Sequence, residues 1–149
     1  MPADLHALLD LRKRRTQRAQ DRFNAAERER QQAEAAVAKA LFSFQDLQNT
    51  HHARRNQRVR AIMAQPASGT QLVRIGLQYQ IGEEELAALA LEIQSLRQIA
   101  RDATDRVKVA HEALQTCLKR EKKLDEAVSR LAIGEARLAD VRAEMELER

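Results

Sequence analysis

An all-α chain, folded as two long helices in an antiparallel coiled-coil hairpin, is what this sequence predicts, on three observations. Between Ile75 and Met145, steps of four and three residues alternate without a break, and 17 of the 21 positions so marked are apolar. A repeat of about 3.5 residues held for about ten heptads keeps one seam of a helix facing one partner helix. Aromatics make up 3% of the 149 residues and charged residues 32%, while 26 are alanine, a supply that suits a thin seam and cannot fill a layered globule. The third observation is a single clear break, Gln65-Pro66-Ala67-Ser68-Gly69.

Helix one is expected over residues 4–64, where Ala26, Ala33, Val37, Ala40, Phe44 and Leu47 hold the same period and Arg30 intrudes on it. It stops because Pro66 cannot continue a helix, and Gly69 relaxes the backbone of the turn at 65–69. Ser68 and Gln71 have the spacing of a capping box, so helix two starts there and runs over residues 70–148. The whole of residues 1–149 reads as one coiled-coil domain. So short a connection makes an antiparallel hairpin the simplest arrangement, with arms of roughly 90 and 115 Å. Folding about Ala67 sets residue n opposite about 134 − n, which levels Phe44 with Leu89, Ala40 with Ile93 and Val37 with Leu96. About 15 residues at the end of helix two are then expected to overhang. A parallel homodimer built from helix two alone is the competing architecture, since its seam is the more complete.

Chemistry-bearing patterns are few. There is no glycine-rich phosphate loop, no paired-cysteine metal motif and no nucleophile elbow, and a two-helix seam offers no enclosed pocket. His111-Glu112 lacks the second histidine of a zinc-protease motif, and His51 and His52, adjacent on a helix, point about 100° apart. Both histidines read as solvated or seam-edge, and the single Cys117 as a small core residue with no second cysteine to bridge. The expectation is a protein that is not an enzyme and takes no cofactor and no metal. Met1-Pro2-Ala3-Asp4-Leu5-His6 has neither the cationic start nor the apolar run of a signal peptide, and no apolar stretch is long enough to span a bilayer. A cytoplasmic location is expected, without direct membrane insertion.

Charge is the informative feature off the seam. Residues 1–65 carry 13 Lys and Arg against 7 Asp and Glu, whereas residues 66–149 carry 13 against 15. Arg12, Lys13, Arg14, Arg15, Arg18 and Arg22 form a dense run, and in the hairpin they fall level with Lys119, Arg120, Lys122 and Lys123. Charge runs on coiled coils are ordinarily solvated faces. That two distant clusters reach the same level raises an equal alternative, an electrostatic collar for an acidic partner. Nucleic acid is disfavoured, because no aromatic residue interleaves the run and a net charge of +4 is small for so extended a chain.

A second surface follows the turn. Leu72, Val73, Ile75, Leu77, Tyr79 and Ile81 supply more apolar side chains than one seam can bury, with Val59, Ile62 and Met63 facing them. A local plug closing the hairpin tip is the simpler reading, and a partner-binding patch the other.

At the start, Leu5, Leu8, Leu11, Arg12, Arg15 and Ala19 resemble the opening of the FliJ/YscO family of type III secretion proteins, spaced leucines followed by Arg and recurring Ala. In the second arm, Leu114, Cys117, Leu118, Lys119, Glu121, Lys122, Lys123, Leu124 and Val128 resemble that family's apolar spacing followed by a Lys-rich run. Length, two-arm layout and mid-chain break are similar too, and the injectisome branch fits better than the flagellar one, whose central segment holds more aromatics than the lone Tyr79 here. The resemblance implies a stalk-like antiparallel coiled coil, monomeric when isolated, whose terminal end docks in a hexameric secretion ATPase. Its partners would be that ATPase, the cytoplasmic domain of the export gate protein and secretion chaperones, at the periphery of an inner-membrane apparatus. Arg12, Arg14, Arg15, Arg18, Lys119 and Lys122 would then be ATPase-docking residues, and Leu72, Leu77 and Tyr79 would face the gate. The rival expectations are a homodimeric scaffold or tether and a basic nucleic-acid accessory protein.

Overall fold

The computed structural model describes residues 2–66 and 68–149; Ala67, about which the chain is expected to fold, lies outside them. Two helices, α1 (Pro2–Ala64) and α2 (Gly69–Leu147), pack against each other as an all-α hairpin, and 97% of the described residues are helical. No strand occurs among the described residues, and none of their helices is long and apolar enough to cross a membrane.

The connection is built as its residues require. The Gln65 N–H donates to the Ala61 carbonyl at 3.2 Å, and Pro66 then has no N–H with which to continue. Ser68 closes a capping box: its N–H donates to Gln71 Oε1 at 3.0 Å, and the Gln71 N–H donates to Ser68 Oγ at 3.2 Å. The Leu72 N–H to the Ser68 carbonyl at 3.1 Å begins the helical ladder. Gly69 differs from expectation. It belongs to α2 and no glycine has a positive φ, so Gly69 supplies no left-handed backbone to the connection.

Both helices contribute to two compact units, residues 28–104 and residues 1–27 with 105–149. In the first, the turn unit, Ala40 on α1 and Ile93 and Ala103 on α2 are buried, flanked by half-buried Ala33, Val37, Phe44, Leu47, Leu86, Leu89, Leu96 and Ala100. In the second, the terminal unit, Leu9, Ala19 and Leu114 are buried, with Leu5, Phe23, Val107, Ala110, Cys117, Leu124 and Val128 half-buried beside them. Every α2 seam position from Leu86 to Val128 is thus covered to some degree, and on α1 the seam extends from Ala26 back to Leu5, past the stretch the periodicity of helix one marked.

Side-chain pairs report the register. Phe23 and His111 bring their rings to 5.6 Å in the terminal unit, and His51 Nε2 lies 3.1 Å from Glu83 Oε1 in the turn unit. Each pair adds to 134, as folding about residue 67 requires. Polar seam residues are accommodated locally. The Thr16 hydroxyl donates to the Arg12 carbonyl at 3.1 Å, and Arg30, the intruder, reaches Glu34 one turn along its own helix at 2.8 Å. Residues 131–149 are exposed throughout, including Leu131, Leu138 and Met145, so the α2 seam pattern outlasts its cover by α1.

Candidate docking surfaces

The basic run and the Lys-rich cluster both lie in the terminal unit, and the Phe23–His111 pair sets their level. Their faces are less uniform than their level. Arg12 occupies a half-buried seam position, at the height of half-buried Glu121. Arg14 and Lys119 are exposed and sit at the outermost heptad positions of their helices, facing away from the seam. Arg15 and Arg18 instead share one flank with Arg22, as spacings of three and four residues dictate. There they border a groove of about 590 Å³ whose floor is Ala19, Val109, Ala110, Ala113 and Cys117. Lys122 is exposed and lies outside that groove, as does Lys119. Of the six residues expected to dock, the structure therefore gathers two with Arg22 and distributes the other four around the helix pair. Spacing in α1 could have singled out Arg15, Arg18 and Arg22; the groove between them and α2 needed the register.

After the turn, the expected plug does not form. Leu72, Val73, Leu77 and Ile81 remain 49, 64, 56 and 53% exposed, and Met63 opposite is 82% exposed. Only Ile62 and Ile75 are half-buried, because a two-helix seam has room for one side chain per layer from each helix. Val73, Leu77 and Ile81 recur every fourth residue and form a stripe on the side of α2 away from α1. Leu77 lies in that stripe, Leu72 beside the seam, and Tyr79 elsewhere. The Tyr79 ring is 5.2 Å from the His51 ring, and the Arg55 guanidinium carbon lies 5.6 Å from its centre.

His51 itself corrects the expectation of a solvated or seam-edge histidine. It is 7% exposed and fills a seam position, bonded to Glu83 and packed on Gly82 and Tyr79. The 3.5-residue step from Leu47 could have placed it there. What the sequence could not show is the glycine that admits it, since a Cβ on Gly82 would fall on Nδ1 and Cε1 of the imidazole. Among the described residues no group of three or more His, Cys, Asp or Glu side chains could hold a metal ion.

Set beside known proteins, the chain matches no family model, no curated protein and no solved structure.

Proposed function

We propose that this protein is a non-enzymatic central-stalk component of a type III protein secretion apparatus, docking into the hexameric export ATPase and linking it to the export gate and to secretion chaperones. The observation that carries the reading is the shared level of two basic groups on a helical hairpin. The Arg12–Arg22 run of α1 and the Lys119–Lys123 cluster of α2 surround one stretch of the terminal unit. Positive charge on several faces of a thin helical pair suits insertion into an opening lined by carboxylates, where each face meets a different subunit. Arg12, Arg14, Arg15, Arg18, Lys119 and Lys122 are the docking residues in this reading.

The gate-facing surface is the exposed apolar region after the turn. Leu72 and Leu77 belong to it, and Val73 and Ile81 join Leu77 in an outward stripe that can be buried only by another molecule. Tyr79 contributes its exposed edge, the rest of its ring being held against His51.

Titration of the purified chain into the export ATPase encoded beside it, following hydrolysis rate and assembly by light scattering, tests the proposal. Stimulated hydrolysis with a sub-stoichiometric chain in a larger assembly is the expected result. Unchanged rate and size across a saturating range would overturn it and leave a coiled coil of no assigned partner.

A further inference from the structure

Two surfaces of the terminal unit are complementary and cannot meet within one chain. One is the groove lined by Arg15, Arg18, Arg22 and Arg106 with a single acid, Asp105, and with the small residues Ala19, Ala110 and Ala113 between them, beside Val109, which is 67% exposed. Small floor residues let a third helix approach to the usual 8–10 Å between axes. The other is the exposed end of α2. Leu131, Leu138, Val141 and Met145 are 51, 59, 47 and 62% exposed and share one stripe, flanked by Glu135, Glu144 and Glu148. Residues 131–149 hold five carboxylates against three arginines, opposite in sign to the groove rim. The apolar stripe runs about 21 Å along the helix and the groove about 18 Å. Because α2 is unbroken from Gly69 to Leu147, its end cannot fold back onto its own groove.

We propose that two copies of this chain pair antiparallel, each seating residues 131–149 of its α2 in the arginine-rimmed groove of the other. Antiparallel pairing makes the contact reciprocal about a two-fold axis, so it closes as a dimer and does not propagate into a filament. Apolar stripe meets apolar floor, and Glu135 and Glu144 meet the arginines of α1 in the second copy, with Glu148 beyond them towards its Arg106. Arg15 and Arg18 are covered in the pair. On the stalk reading, which this consequence alone rests on, pairing and ATPase docking exclude each other.

The test needs no ATPase. Sedimentation of the unmodified full-length chain should show a monomer–dimer equilibrium that weakens with added salt. Reversing Arg15, Arg18 and Arg22 to Glu should raise the dissociation constant by about tenfold or more. Reversing Glu135, Glu144 and Glu148 to Arg in that same chain should bring it back, with circular dichroism unchanged throughout. Leu138→Cys places a thiol on the stripe, and mild oxidation should join it to the resident Cys117 of the second copy, identified by peptide mapping. A chain that stays monomeric up to about 1 mM would overturn the proposal. So would a cross-link between two copies of the introduced cysteine at 138, which would mean that the ends pair with each other and leave the groove empty.

Discussion

The imidazole of His51 occupies the space that a Cβ on Gly82 would need. The two residues come from opposite helices of the turn unit, and the glycine is what lets the ring enter the seam at this level. Glu83, next in sequence to the glycine, accepts the bond to His51 Nε2 at 3.1 Å, so one turn of α2 both admits the ring and satisfies it. Glycine costs a helix roughly 1 kcal/mol relative to alanine, which is the cost of admitting the histidine.

That relationship separates two glycines of the same helix. Gly82→Ala should lower the midpoint of thermal unfolding, since overpacking at the ring costs about 1–3 kcal/mol and outweighs the gain in helix propensity. Gly76, with nothing within 4 Å of its would-be Cβ, should give the opposite sign, a gain of about 0.5–1 kcal/mol as Gly76→Ala. Combining His51→Ala with Gly82→Ala should remove the penalty, and a double-mutant cycle by circular dichroism checks the coupling.

Ser68 caps α2 where it follows the turn. Ser68→Ala removes the acceptor for the Gln71 N–H and should cost about 0.5–2 kcal/mol in chemical denaturation, whereas Ser68→Asp should retain most of the stability.

Seam and surface leucines and isoleucines should respond differently to truncation. Ile93, 5% exposed, should lose about 2–4 kcal/mol as Ile93→Ala. Leu91, two residues earlier and 67% exposed, should change stability by less than about 0.5 kcal/mol as Leu91→Ala. Leu96→Asp, level with Val37, should cost several kcal/mol through desolvation of the carboxylate, read as an earlier urea midpoint.

On the stalk reading, reversing Arg12, Arg15, Lys119 and Lys122 together should abolish ATPase docking while helicity persists. Pull-down and hydrolysis assays read the first, circular dichroism the second. Docking that survives would remove the collar from the stalk reading.

In the turn unit, Val73→Ser with Leu77→Ser and Ile81→Ser should leave unfolding nearly unchanged, because all three are more than half exposed. On the stalk reading, the same triple variant should weaken capture of the export gate's cytoplasmic domain in a binding assay. Undiminished capture would take the stripe out of the gate-facing surface.

The sequence by itself determined the helices and their break, and made antiparallel pairing the simplest arrangement. Unbroken heptad spacing from Ile75 onward selects a helix with one buried seam, Pro66 ends α1, the Ser68–Gln71 spacing caps α2, and a connection this short leaves the residue sum near 134 that Phe23–His111 and His51–Glu83 display. These are local or one-dimensional properties, fixed by periodicity and by which backbone donors a residue type supplies. Only the tertiary structure decided which side chains share a surface. Whether Arg15, Arg18 and Arg22 border a groove depends on the small residues that α2 sets beside them, and whether His51 is buried depends on Gly82 having no side chain. The apolar residues after the turn stay uncovered for the same reason, since two helices offer one layer of burial and no second face against which Val73, Leu77 and Ile81 could pack.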